Sequence, residues 1–406
     1  MKKTLLTTAI TVILYGVAGA SLAGNSATTS QTGSFNDLTV TQTGDLNTTN
    51  ASQYGGNNIG TITQSNEGNS ATLNQGNAGN AVGMGNDSLA TIDQIGAYNT
   101  ASVEQGESDE ASVLQTGNDN QASIDQAIDV FSEGNVATID QSGNNNTAIV
   151  EQDVQNVASI NQSGNNNTAT IDQNNNGTNA FVEQNTASID QSGNDNIASV
   201  IQSGDSNLAT VNQLGDSSVA TVDQSGNGNV VSIEQGHSDQ ATVLQSGNNN
   251  TATVDQRIDS LSGENKVASI DQSGDNNTAT VEQDLQNTAS IDQSGNNNTA
   301  IIDQNNIGDN VFVEQNTAAV NQSGDYNLAT VTQSGNLNSA TVDQSGDGTL
   351  ALNTVTIDQT AIGDVAFAMQ AGGEGNMIEI MQNAGGDFAS AAQNGSFNSV
   401  TILQNP

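Results

Sequence analysis

The stretch ATIDQSGNNNTAIVEQ, residues 137–152, decides how the rest of the chain is read. Ala137, Ile139 and Gln141 alternate with Thr138 and Asp140, and Ala148, Val150 and Gln152 repeat the alternation after a Ser-Gly-Asn turn. In an extended strand, alternate side chains share a face. The face with Ile or Val is the only apolar one, so it points inward and takes a glutamine with it. A buried amide without partners is strongly unfavourable. Stacking identical rungs about 4.8 Å apart removes that penalty, because each amide meets its copy above and below. The same stacking pairs backbone N–H and C=O groups from rung to rung. Gly143 suits a turn position with positive φ. Asn146 either takes a left-handed conformation or forms a ladder of its own.

The unit returns as ASINQSGNNNTATIDQ at 158–173, ASIDQSGDNNTATVEQ at 268–283 and ASIDQSGNNNTAIIDQ at 289–304. The glutamines that close each half-unit run from Gln31 to Gln404; there are 34, and 22 of their 33 gaps are 11 residues. Two halves make a 22-residue unit, which marks a repeat architecture. A longer period lies over this one. The anchors Gln94 to Gln213 recur at Gln224 to Gln344, displaced by 130 or 131 residues, irregular gaps included. The 15-residue gap from Gln126 to Gln141 matches the 16 residues from Gln256 to Gln272, and the seven from Gln184 to Gln191 match those from Gln315 to Gln322. The chain therefore divides into a leader (1–23), looser repeats (24–93), block A (94–223), block B as its duplicate (224–352), and looser C-terminal repeats (353–406).

One unit buries about two branched aliphatics, roughly 1.5–3 kcal/mol each, against the ordering entropy of its whole length. A single rung does not stand alone, whereas a stack does, since each new rung meets a formed template. The expected fold is all-β: a β-solenoid of about 17 strand-turn-strand rungs, about 22 residues each, becoming cross-β amyloid on assembly. The only proline is Pro406, so no ring interrupts the ladder. With 3% aromatic residues the composition alone argues for disorder, and the apolar period is what overrides it.

Formal charge is −40, and only Lys2, Lys3, Arg257 and Lys266 are basic. No cationic surface is available for nucleic acid, and an anionic membrane repels such a chain. There is no cysteine and one histidine, His237, so disulfide frameworks, thiolate or histidine metal sites and a Ser-His-Asp triad have nothing to build on. No catalytic, cofactor-binding or metal-binding residue is expected. Lys2 and Lys3 before the uncharged stretch Thr4 to Ala20, with Ser21-Leu22-Ala23 ahead of Gly24, form an export signal. The mature chain is expected outside the cell.

These residues resemble the curlin repeat of curli fibre subunits, in which Gln, Gly, Asn, Ala and Gln recur at fixed offsets. Gln141, Gly143, Asn146, Ala148 and Gln152 fill that pattern, as do Gln162, Gly164, Asn167, Ala169 and Gln173. So do Gln272, Gly274, Asn277, Ala279 and Gln283, and likewise Gln293, Gly295, Asn298, Ala300 and Gln304. The resemblance implies that these positions form a self-assembly ladder. It further implies outer-membrane export machinery and a nucleator subunit as partners, and growth of an adhesive extracellular homopolymer in a biofilm matrix. Two features differ from the family: the repeats are more numerous here, and they begin near Gln31, where curli subunits carry a Gly-rich segment.

Eighteen carboxylates, from Asp93 to Asp358, directly precede an anchoring glutamine and therefore face outward. Stacked at the rung spacing, neighbours repel by roughly 0.9 kcal/mol in water before screening. Either salt, divalent cations or acid gate assembly, or the acidic face only keeps monomers soluble. No pair is set apart as a glycosidase pair would be, and no calcium-loop spacing appears. The triplet Asn145 to Thr147 matches a glycosylation sequon by composition. Rival readings are an ice-binding solenoid, from outward Thr168 and Thr170, and a monomeric adhesin stalk, which needs capped ends. The closing FNSVTILQNP carries no charged cap.

Overall fold

The computed structural model describes residues 24–76, 87–126, 134–174, 184–257, 265–305, 315–348 and 350–405, together with the backbone of the strand Ala9–Tyr15. Regular structure among them is all β-strand, arranged as a β-solenoid of about 15 turns spaced about 22 residues apart. The chain forms two compact units, Met1–Ser206 and Asn207–Pro406.

In the first unit, successive strands alternate between two parallel sheets, so each strand pairs with the next but one. Val136–Asn144 pairs with Val157–Asn165, matching Ala137 to Ala158, Ile139 to Ile160 and Gln141 to Gln162. On the other sheet, Thr147–Gln152 pairs with Thr168–Asn174, matching Ala148 to Ala169, Val150 to Ile171 and Gln152 to Gln173. The second unit is built alike: Val267–Gln272 pairs with Thr288–Gln293, and Thr278–Gln283 with Thr299–Gln304. The interior between the sheets is thin and uniform. Ala137, Ile139 and Gln141 are buried, while Thr138 and Asp140 face out. A one-residue slip would turn every Ile or Val to solvent, and this fixes the register.

Fewer turns form than the about 17 expected from glutamine spacing. Gln184 and Gln315 are exposed and lie outside the ladder. Gln173 bonds instead to Gln202, and Gln304 to Gln333, 29 residues on in each case. The seven-residue gaps are therefore not short half-rungs. Seven residues are too few for a strand plus the turn that returns the chain. Glu183 and Glu314, which precede those glutamines, lie outside the described residues, as do Met84, Phe131 and Leu261. No rung intervenes between Gln75 and Gln94, because Ser70–Gln75 pairs directly with Thr100–Gln105 and Ile59–Glu67 with Leu89–Ala97. Within the expected leader, Ala9–Tyr15 pairs in parallel with Asp37–Asp45, from Ala9 opposite Asp37 to Tyr15 opposite Thr43.

Candidate self-assembly ladder

Each inward glutamine closes a strand with its amide between the sheets, and all eight singled out from the sequence are fully buried. In the first unit Gln141 Nε2 donates to Gln162 Oε1 at 2.8 Å, and Gln162 to Gln191 at 2.8 Å. On the opposite sheet Gln152 donates to Gln173 at 2.9 Å. In the second unit the bonds Gln272 to Gln293 and Gln283 to Gln304 are 2.8 and 2.9 Å. One N–H is thus spent along the stack, as the alternation requires.

The second N–H crosses the interior. Gln141 Nε2 also donates to the Gln121 carbonyl at 2.9 Å, and Gln283 to the Val267 carbonyl at 3.1 Å. Each acceptor opens a strand on the facing sheet. The glutamine therefore bonds to the next rung and to the facing sheet with one amide. Sequence spacing predicted the first bond only. The second follows from the thin interior, where a side chain of glutamine's length reaches the backbone opposite.

The asparagines form a separate column at the turns. Asn146 Oδ1 accepts from the Asn167 backbone N–H at 3.0 Å, while its Nδ2 donates to the Gly164 carbonyl at 3.0 Å. Asn277 repeats this toward Asn298 and Gly295, at 2.9 and 2.8 Å. Of the two roles open to Asn146, the structure shows the ladder. The left-handed residue is its predecessor, Asn145, at φ 57°, with Asn166, Asn276 and Asn297 alike. A short polar side chain tolerates that region better than a branched one.

Two constraints act on the turn glycines. Gly143 has φ 123°, and a Cβ there would overlap the Gly164 carbonyl oxygen. Gly274 is outside the left-handed region, yet a Cβ would equally strike the Gly295 carbonyl. Close approach of rungs is the requirement common to both. Ala148, Ala169, Ala279 and Ala300 are fully buried, small enough to let the sheets stay near.

Outward carboxylates do stack. Glu104, Asp125, Glu151 and Asp172 occupy four consecutive rungs of one sheet in the first unit. Glu234, Asp255, Glu282 and Asp303 do so in the second. Burial, ahead of the neighbouring Asp172 and Asp125, pushes the Glu151 carboxyl above its ordinary value. Burial and then Glu282 raise Asp303. Crowding was the cause expected from the sequence. It contributes, but partial burial on the sheet face contributes more. The sign is unchanged: acids raised in the folded state bind protons more readily there, so stability is greatest at low pH and falls as pH rises through the folded values.

A family model described as the curlin associated repeat matches residues 133–153, 183–215, 204–236, 215–257 and 314–346. The chain is a curlin-repeat protein. The matched spans fall on the ladder just described, including Gln141, Gly143, Asn146, Ala148 and Gln152. No curated protein matches the curlin-repeat chain as a whole.

Proposed function

We propose that this curlin-repeat protein is a secreted structural subunit, not an enzyme, that polymerises into curli-like extracellular amyloid fibres serving adhesion, cell aggregation and biofilm matrix. The observation that carries the reading is the identity of successive rungs. Each offers the next the same glutamine, asparagine and backbone donors that it receives from the one before. A second copy of the chain fits such a template as well as the chain's own next rung does. The last strand, Ser399–Gln404, leaves inward Val400, Ile402 and Gln404 half-exposed, a surface suited to a further rung. Export machinery of the outer membrane and a nucleating subunit are the partners that fit this role.

The test dilutes residues 24–406 from denaturant, follows thioflavin fluorescence and then records fibre diffraction. A lag removed by seeds, with a meridional reflection at about 4.7–4.8 Å, is the expected result. A soluble β-rich monomer without seeding would overturn polymerisation and favour the adhesin stalk.

A further inference from the structure

One rung of the second unit breaks the asparagine column. Asn250, Asn277 and Asn298 fill it on one side, while on the other Asp239 and Lys266 follow each other on adjacent rungs. Both side chains are buried, Asp239 at 0% and Lys266 at 1% exposure. Lys266 Nζ lies 3.2 and 3.3 Å from the two oxygens of Asp239. The carboxylate is fixed from both sides: Oδ2 accepts from Gly236 N–H at 3.0 Å, and Oδ1 from Lys266 N–H at 3.1 Å. A second acid, Asp284, sits on the turn of the following rung, its N–H bonded to the Gln304 carbonyl at 3.0 Å. Its Oδ1 is buried without a hydrogen bond.

We propose that Lys266 and Asp239 condense into an intramolecular isopeptide bond, with Asp284 carrying the proton. The ammonium first gives up a proton, leaving a neutral amine beside a protonated Asp239 carboxyl. The Nζ lone pair attacks Asp239 Cγ, forming the C–N bond. Asp284 takes the surplus proton from nitrogen and delivers it to the departing oxygen, the C–O bond breaks, and water leaves. An ammonium and a carboxylate become one neutral amide and one water, with no oxidant or cofactor.

Three features favour the step. The reacting groups are held in contact by the stacking of two rungs, which replaces an improbable encounter by a fixed geometry. A buried ion pair bears a desolvation penalty of several kcal/mol per ion, which a neutral amide does not. Burial raises the Asp239 carboxyl against the opposing pull of Lys266, and likewise brings Asp284 to about 6, where it both accepts and releases protons near neutrality. The bond would tie two turns 27 residues apart and lock neighbouring rungs.

Intact mass of the folded mature chain, with tandem mass spectrometry of its peptides, is the test. The folded chain should be lighter by one water than its sequence, with a branched peptide joining Asp239 to Lys266. A sample kept in denaturant should retain full mass. Lys266→Asn restores the residue most rungs carry, so the variant should fold and keep its full mass. Asp284→Asn should slow the water loss at least tenfold. A folded wild-type chain at full mass overturns the proposal. Water loss that persists in Lys266→Asn also does so, by placing the dehydration elsewhere. An unchanged rate in Asp284→Asn removes that residue's role.

Discussion

The turn after Gln126 and the turn after Gln256 occupy equivalent places in the two copies of the duplicated block. In the first, Ala127 follows the glutamine and Asn135 fills the buried column; in the second, Arg257 and Lys266 stand there. These are the two cations of the chain beyond the leader. The carboxylate below is held identically in both. Asp109 accepts from Gly106 and Asn135 backbone N–H groups, each at 2.8 Å, as Asp239 does from Gly236 and Lys266. The anion site therefore belongs to the backbone of the stacked turns and exists without the lysine. Lysine adds a buried charge to it.

Removing the acid should separate the copies most sharply. Asp239→Ala leaves the Lys266 ammonium buried without its counter-ion, a change worth about 3–5 kcal/mol. Asp109→Ala loses two hydrogen bonds to backbone donors, each worth about 1.5–3 kcal/mol when the acceptor is charged, and strands no cation. Hydrogen exchange of Gln240–Gln245 and of Glu110–Asn118 reads each rung separately. Equal losses in the two copies would mean that Lys266 does not depend on Asp239.

The converse is to give the first copy what it lacks. Asn135→Lys places an amine above Asp109, with Asp153 on the next turn, where Asp284 stands in the second copy. The expected outcome is a second water loss and a closed loop from 109 to 135. On chain-entropy grounds such a loop contributes roughly 3 kcal/mol. Urea unfolding together with intact mass checks both, and a variant that stays at wild-type mass shows that the second copy supplies something besides the three side chains.

Much of this architecture is legible in the repeat, and the reasons it is so also explain what was not. The strand period places Ala, Ile or Val, and Gln inward on both copies, because a pleated strand has only two faces. The glutamine ladder follows once those faces are stacked. Gln184 and Gln315 defeat the same logic, since a glutamine at the right interval looks like an anchor whether or not a strand precedes it. The bond from Gln141 to the Gln121 carbonyl depends on the distance between sheets, which no local spacing encodes. The Asp239–Lys266 pair was hidden differently: 27 residues separate two positions that stacking brings to 3.2 Å. Aligning the buried column across rungs would have revealed it.

Acid should shift the second copy through Asp284. Its carboxyl is pushed up to about 6 by burial, against the pull of Lys266 and with Asp303, Asp255 and Glu282 adding to the rise. An acid raised in the folded state weakens the fold when ionised. Its stabilising contribution is complete below the ordinary value near 3.8 and is lost as pH rises through about 6. The urea midpoint at pH 4 should therefore exceed that at pH 7. Asp284→Asn should narrow the difference by raising the neutral-pH value. A difference that survives the substitution would assign the effect to the stacked acids instead.

Arg257 offers the gentlest perturbation. It lies 2.6 Å from Glu234 and 3.1 Å from Asp255, two members of the four-acid column in the second unit. The matching column of the first unit has no arginine at the equivalent position, which is Ala127. All three partners are substantially solvated, so Arg257→Ala should cost no more than about 1 kcal/mol at low salt. Salt should nearly abolish even that, because added ions screen the exposed repulsion that the arginine relieves. Seeded growth rates measured across a salt series then separate two roles for the acidic face. If the columns gate assembly, Arg257→Ala slows growth in dilute buffer and salt restores it. If they only confer solubility, growth of the variant and the parent coincides at every salt concentration.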